Sequence, residues 1–457
     1  MPGLNGASNF LIFSKYFQAY IQYKNISLYI NFYNRRLMKN DQTSNRNTIS
    51  KIRTAFSILL ILLISAISDS CTKKPAAILK LTISETAGMS RSLEYIEVEV
   101  PLNVNLQAKE DICLKEAGDR KPIAGQIIDT LTRESGRKYL KCIFPVSIEA
   151  NTTKSYEIIY GSAELQNEVL KYTGHDINMK IENTAFIADL TDIKATAENG
   201  LGSGQLAGLI LKDFNDQLLQ RGHINMHWAP NFQRDGLEYK TFGHMRHPDT
   251  LEVVKGPYIF SLHRSGSVPG YDEIEVSCMY QFYAGLPYFT FSSEILIKDD
   301  VELMLLRNDE MTMDSLFTHV TFLNPDGEVS TVDLYQGDGI EQLEKDPIPD
   351  DAKWLFFQNK NKQYAFGSIR LEYDNTNLSG SISPLYGEHT KITRSAGNGR
   401  YWNRRLINDH NTLIPSGSRY REKNAYLIFN TNNEDGTYKL EEYHKRLIQP
   451  LIIQYIQ

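Results

Sequence analysis

Residues 93–100 read Leu-Glu-Tyr-Ile-Glu-Val-Glu-Val, and Pro101 follows. Apolar and polar side chains alternate with a period of two, so every second residue faces one side; this is the pattern of a strand with one buried face. Proline cannot donate to the next rung and ends the run. The same texture recurs along the chain, at 112–115, 125–131, 139–145 and 155–160. It continues at 177–181, 185–190, 206–212, 251–262, 273–283, 288–297, 301–307, 319–322, 331–335, 354–358, 364–372 and 425–430. Gly, Pro, Asn and Asp punctuate these runs. Few stretches show sustained helical periodicity, and the best helix candidate is 438–451, an amphipathic stretch closed by Pro450. Without βαβ alternation, a GxGxxG after a strand, or a P-loop, nucleotide folds are disfavoured. The expected class is all-β: a small N-terminal β-sandwich or barrel at 80–163, a linker, then a large antiparallel β-supersandwich at 176–457.

Residues 1–74 read as leader, signal peptide and tether. Lys51 and Arg53 precede an apolar run at 55–67, and Ser68-Asp69-Ser70-Cys71 follows. A basic segment, a short apolar segment and a small-residue border make a secretory signal, too short to span a bilayer comfortably. Cys71 sits where a bacterial lipoprotein would be cleaved and lipidated, which implies export and a lipid anchor in the cell envelope. Met38, opening MKNDQ, is the expected start. The net charge of −6 lacks the basic footprint of a nucleic-acid binder, so no nucleic-acid partner is expected. Beyond Cys71 only Cys113, Cys142 and Cys278 remain, an odd set without a CxxC pair. They read as buried small residues rather than as a disulfide framework or zinc site.

Chemistry concentrates at 221–264. Five of the ten histidines fall there (His223, His227, His244, His247 and His263), among Arg221, Arg234, Lys240, Arg246 and Arg264 and the aromatics Trp228, Phe232, Tyr239, Phe242 and Tyr258. Imidazole moves protons near neutral pH, guanidinium clamps carboxylates and flat rings stack on sugars. His223, Asn225 and His227 share one face if the segment is a strand. The two histidines then stand about 13 Å apart, too far for one ion, so no metal or other cofactor is expected. Gly243 and Pro248 bracket His244, Arg246 and His247 in a loop, the usual setting for chemistry on a rigid scaffold. Leu306-Arg307-Asn308-Asp309-Glu310 ends an apolar strand. Arg307 and Asn308 are placed to neutralise a carboxylate and Glu310 to act as acid or base, with His319 on the next strand. A Gly-rich segment, 398–405, offers Trp402 as a stacking platform.

Taken with the lipoprotein-like leader, the strings SYEIIYG, GHINMHW, YQFYAGLPYF and LRNDE resemble the exo-rhamnogalacturonan lyase/YetA-like family. More broadly they resemble the galactose-mutarotase-like supersandwich of polysaccharide lyases. The resemblance covers roughly 80–430 and implies a carbohydrate-active enzyme on a β-supersandwich.

The leading expectation is a polysaccharide lyase that cleaves a uronate-containing polysaccharide or oligosaccharide by β-elimination. Arg246 or Arg307 would neutralise the carboxylate, His223 or His244 would take the α-proton, and Tyr239 would protonate the leaving oxygen. Asn225, His227, Trp228, Asn308, Glu310, His319 and Trp402 are the expected substrate contacts. A glycoside hydrolase would need two facing carboxylates, for which Asp235, Glu238 and Glu310 are candidates. A non-catalytic glycan-binding lipoprotein would need only the aromatic platform.

Overall fold

The computed structural model describes residues 77–102, 112–118, 121–165, 168–175, 177–190, 204–221, 224–245, 248–313, 315–387, 389–394, 399–431 and 436–456. The chain is nearly all β, and its sheets are antiparallel. The described residues belong to one compact unit, Pro75–Gln457. Cys71, His223, Arg246 and His247 lie outside them.

Near the N-terminus, a three-stranded sheet (Arg91–Pro101, Lys138–Ile148, Gln126–Thr132) shares a core with a five-stranded sheet built on Ala77–Ser84, Thr153–Tyr160 and Ile112–Glu116. The alternation read at 93–100 is realised: Ile96, Val98 and Val100 are buried while Glu97 is exposed. Leu81, Leu114, Phe144 and Ile158 close the same core. The last strand, Ile452–Ile456, pairs with Ala77–Ser84, so the C-terminus returns to this sheet instead of ending in the larger sandwich.

The larger sandwich has a nine-stranded and a six-stranded sheet, and one core contains side chains from both, among them Phe289, Phe291, Tyr426, Phe366, Met311, Trp402 and Leu406. Each large side chain removed from water contributes about 1.5–3 kcal/mol. A further five-stranded sheet adds Ile181, Phe186, Ala188, Leu209 and Leu219 to that core. The helix at Thr437–Ile448 lays Leu440 on the nine-stranded sheet against Trp354, Phe356 and Leu427. Cys113, Cys142 and Cys278 are buried.

Two strand expectations change. The run at 251–262 is a hairpin, Thr250–Lys255 and Ile259–Val268, with Lys255 paired to Phe260. Gly256 and Pro257 turn the chain, and the turn is held by Gln126 of the small sandwich. Its Oε1 accepts from the Tyr258 and Ile259 N–H groups, and its Nε2 donates to the Ile259 carbonyl. A Cβ at position 256 would lie 2.1 Å from the Gln126 side chain, so any larger residue would displace the amide that holds the turn. Second, the strand expected to end at Arg307 runs on as Val301–Met313, carrying Asn308, Asp309 and Glu310 into the interior. Those residues are not a solvated strand end.

Candidate functional site

The six-stranded sheet runs Lys240–Thr241, Asn231–Gln233, Val301–Met313, Arg400–Ile414, His389–Arg394, Ile348–Pro349. Register aligns Asn231, Arg307, Arg405 and His389 across four strands, and one rung away it aligns Asn308, Arg404 and Thr390. Successive residues of a strand point to opposite faces. Arg307 is accordingly half-buried, while Asn308 is fully buried and accepts from Arg404 at 3.4 Å.

The register between this strand and Arg400–Ile414 breaks between Asn308 and Met311, and Asp309 there has φ 43°. Asp tolerates this left-handed conformation better than most residues, and such a bulge re-aims the side chains that follow it. Asp309 points into the core, where its carboxylate accepts from Tyr373 Oη (2.7 Å), Tyr426 Oη (3.0 Å), Trp402 Nε1 (3.1 Å) and Ser368 Oγ (3.3 Å). Glu310 turns the other way and accepts from Asn231 Nδ2 at 3.2 Å. Burial pushes its carboxyl upward, against the pull of Arg307, Asn231 and Arg405. Without the bulge, residues 307 and 309 would share a face; with it, Arg307 and Glu310 act on one another.

Around that pair the surface is cationic and aromatic. Arg405 is held by Asn403 Oδ1 (2.8 Å) and Thr393 Oγ1 (3.1 Å), and Arg307 by Asn408 Oδ1 (2.9 Å). Burial and the Arg307 charge depress the Arg405 guanidinium; burial and then Arg405 depress the Lys391 ammonium. None of the three forms an ion pair among the described residues. The buried Arg307 Nε and Asn403 Nδ2 have no hydrogen-bond partner there. Natural proteins rarely leave buried donors unmet unless something else completes them.

Tyr239 lies against this surface. Its ring stacks on Trp228 at 6.3 Å and 8°, and Trp228 meets His244 edge-on at 5.9 Å. Burial raises the Tyr239 phenol well above its ordinary value, and Glu310 adds to the shift. Tyr401 is raised by burial and by the same carboxylate. His244 closes a short helical turn, Phe242–His244, with Nδ1 3.1 Å from the Thr241 nitrogen and 3.2 Å from its carbonyl oxygen. The Thr241 N–H donates to Nδ1, the reciprocal half of a capping box, and a neutral ring that accepts there carries its proton on Nε2; only the other tautomer, with Nδ1–H given to the Thr241 carbonyl, puts the lone pair on Nε2.

Of the expected site residues, then, Tyr239, His244, Arg307, Trp228 and Glu310 lie in one neighbourhood. The other expected residues that are described do not join them. His227 is fully buried among Phe291, Tyr280 and Tyr426, its Nδ1 2.6 Å from Tyr280 Oη, and burial drives its pKa down to about 3. It is a neutral core histidine, not a substrate contact. Asn225 is buried, donating to Gln205 Oε1 at 3.4 Å. Trp402 is fully buried against Phe357 and Phe366, and so is not a platform for sugar. Asn308 faces the core. His319 belongs to the nine-stranded sheet, its Nδ1 2.8 Å from Thr318 Oγ1 and its Nε2 3.6 Å from Asp333. Asp235 is exposed, and Glu238, also exposed, pairs with Lys240.

Arg405, Tyr401 and Asn403 were missed, although period-two alternation around an inward Trp402 would have found them. Lys391 carries no such signal, since only strand pairing brings it to Asn403. No three His, Cys, Asp or Glu side chains gather in a metal-binding arrangement among the described residues.

No protein-family model matches the chain, and no curated protein matches it. Among solved structures, an α-mannosidase from Enterococcus faecalis is similar at 12% identity and TM-score 0.50, over 90% of this chain and 50% of the mannosidase. A glycosyl hydrolase family 38 protein from the same organism aligns at 13% identity and TM-score 0.48, over 83% and 47% of the two chains. A GalM/aldose epimerase homologue from C. elegans aligns at 13% identity and TM-score 0.30, over 57% and 99%. The chain thus spans about half the length of the mannosidase, and the likeness bears on the fold alone.

Proposed function

We propose that the protein is a carbohydrate-active enzyme, a lyase that cleaves uronate-containing glycans by β-elimination on the outer face of the six-stranded sheet. The observation that carries this reading is the group of three cations, Arg307, Arg405 and Lys391, without ion-pair partners among the described residues and beside a phenol held protonated. A uronate carboxylate supplies the missing anion. Arg307 and Arg405 then hold it while the α-carbon gives up its proton, and their charge stabilises the enolate-like state that forms. His244 takes that proton in the tautomer that gives Nδ1–H to the Thr241 carbonyl, which places the lone pair on Nε2. Tyr239 Oη–H protonates the departing glycosidic oxygen, the C4–O bond breaks, and a C4–C5 double bond remains. Trp228 fixes the Tyr239 ring. Only Glu310 of the three hydrolase candidates is buried in this neighbourhood, which favours elimination over a paired-carboxylate mechanism.

Incubation with a panel of acidic glycans is expected to release products whose ultraviolet absorbance rises with the new double bond. New reducing ends without unsaturation would assign hydrolysis instead, and binding without cleavage would make the chain a binding module. In the same reading the protein is exported and lipid-anchored at Cys71 in the cell envelope. Mass spectrometry of the mature N-terminus is expected to find an acylated Cys71; an unacylated N-terminus elsewhere would remove the anchor.

A further inference from the structure

The opposite side of the molecule carries a second polar surface. The strands Thr250–Lys255, Ile259–Val268, Tyr271–Tyr283, Tyr288–Ile297 and Arg419–Asn430 lie side by side in the nine-stranded sheet. Their register brings Glu252, His263, Met279, Ser292 and Lys423 into one row. The alternate residues, Leu262, Cys278 and Tyr280 among them, fill the core. The polar face lines a cleft of about 780 Å³ whose other wall, with Glu97, Ile128, Asp129 and Lys141, belongs to the small sandwich. Clefts between two packed bodies are common ligand sites.

In this cleft a carboxylate, an imidazole and a hydroxyl stand in line. Glu252 Oε2 lies 3.1 Å from His263 Nδ1, and His263 Nε2 lies 2.9 Å from Ser277 Oγ. Glu252 is the direct cross-strand partner of His263, whereas Ser277 pairs with Ser265 and reaches His263 diagonally. The two ring nitrogens therefore have opposite duties. Nδ1–H donates to the carboxylate, so Nε2 carries the lone pair that accepts the serine proton. These are the roles of orienter, base and nucleophile in acyl transfer, which are recognised by geometry and not by fold or chain order.

We propose that Ser277, His263 and Glu252 form a nucleophilic relay that hydrolyses carboxylic esters of small, uncharged or cationic alcohols bound in this cleft. Ser277 Oγ bonds to the acyl carbon while its proton passes to His263 Nε2. The ester C–O bond breaks, and the departing alcohol takes that proton. Water then attacks the acyl-serine, giving one proton to His263 Nε2 and releasing the carboxylic acid as the proton returns to Ser277. Glu252 holds the ring and balances the imidazolium. The preference in the alcohol follows from the lining, where Glu97, Asp129, Glu252, Glu294 and Glu372 outnumber Lys141, Arg421 and Lys423. An anionic substrate would meet a like-charged wall.

The test is labelling of the full chain with a neutral fluorophosphonate, followed by peptide mapping, alongside hydrolysis of p-nitrophenyl acetate. The expected label is on Ser277. Ser277→Ala should lose it, and His263→Ala should slow it at least 100-fold. Glu252→Gln should slow it less and alter its pH profile. Ser265→Ala, on the same face without the histidine contact, is the control and should label normally. All four positions lie on the solvent side of the sheet, and matching thermal unfolding would show that the variants fold. No label, a label elsewhere, or labelling of Ser277 unaffected by His263→Ala overturns the proposal. The acidic-glycan assay is a separate readout, so either site can fail alone.

Discussion

Tyr239→Phe is expected to fold normally and to lower the rate of unsaturated product formation on acidic glycans by about 10²–10⁴-fold, the usual contribution of a positioned acid. The substitution keeps the ring, so the stack on Trp228 at 6.3 Å and most of the buried area survive; only the hydroxyl is lost. Its pKa, raised by burial and by Glu310, keeps the phenol protonated at neutral pH, as a proton donor to a leaving oxygen requires. Arg307→Ala should reduce the same rate by a comparable factor, and should cost more on uronate substrates than on neutral ones. The two variants are distinguishable: Arg307→Ala should weaken binding of a uronate product, whereas Tyr239→Phe should leave it nearly unchanged. Initial rates by ultraviolet absorbance and product binding by calorimetry decide between them. Unchanged turnover in Tyr239→Phe would remove the phenol from the mechanism.

The second large effect concerns stability. Glu422 is buried beside Asp309; its carboxyl is bonded to Ser293 Oγ at 2.8 Å and Asn424 Nδ2 at 3.0 Å. Burial first, and the Asp309 charge second, push its pKa up to about 8 from an ordinary 4.5. The folded protein therefore holds a proton that the unfolded chain releases above pH 4.5. Between about 4.5 and 8 the native state binds more protons, so stability must fall as pH rises through that window, and above it the full penalty stands. Each tenfold difference in proton affinity between the two states is worth about 1.4 kcal/mol, so the total is on the order of a few kcal/mol. Glu422→Gln keeps the shape and removes the titration. It should unfold like the parent near pH 4.5 and resist denaturant clearly better at pH 9. Chemical denaturation across pH 4–9 measures it; parallel curves for the two proteins would show that Glu422 does not titrate in this range.

Much of the architecture was legible in one dimension. At 96–100 the period-two pattern reports directly which side chains are buried, because a strand has only two faces. The amphipathic run at 438–451 likewise corresponds to the helix Thr437–Ile448. Part of the candidate site was legible too: Tyr239, His244 and Trp228 fall in one short chemically dense stretch, and chain proximity alone keeps them close.

What sequence alone could not decide was which polar residues turn inward. Trp402 and His227 look like ligand-facing groups by composition, yet both are core residues, because pairing partners and sheet packing set the face that a residue occupies. Arg307-Asn308-Asp309-Glu310 is four consecutive polar residues in one dimension. In three, a single left-handed residue in a bulge sends Asn308 and Asp309 into the core and returns Glu310 to the side of Arg307. Local alternation thus determined the strands and their apolar faces, since that information repeats every second residue. Only tertiary structure decided that Arg405, Lys391 and Glu310 gather around Arg307, with Tyr239 beside Arg307 and Glu310, since cross-strand register joins residues as distant in the chain as Arg307 and Arg405 and a one-residue slip exchanges the two faces of a strand.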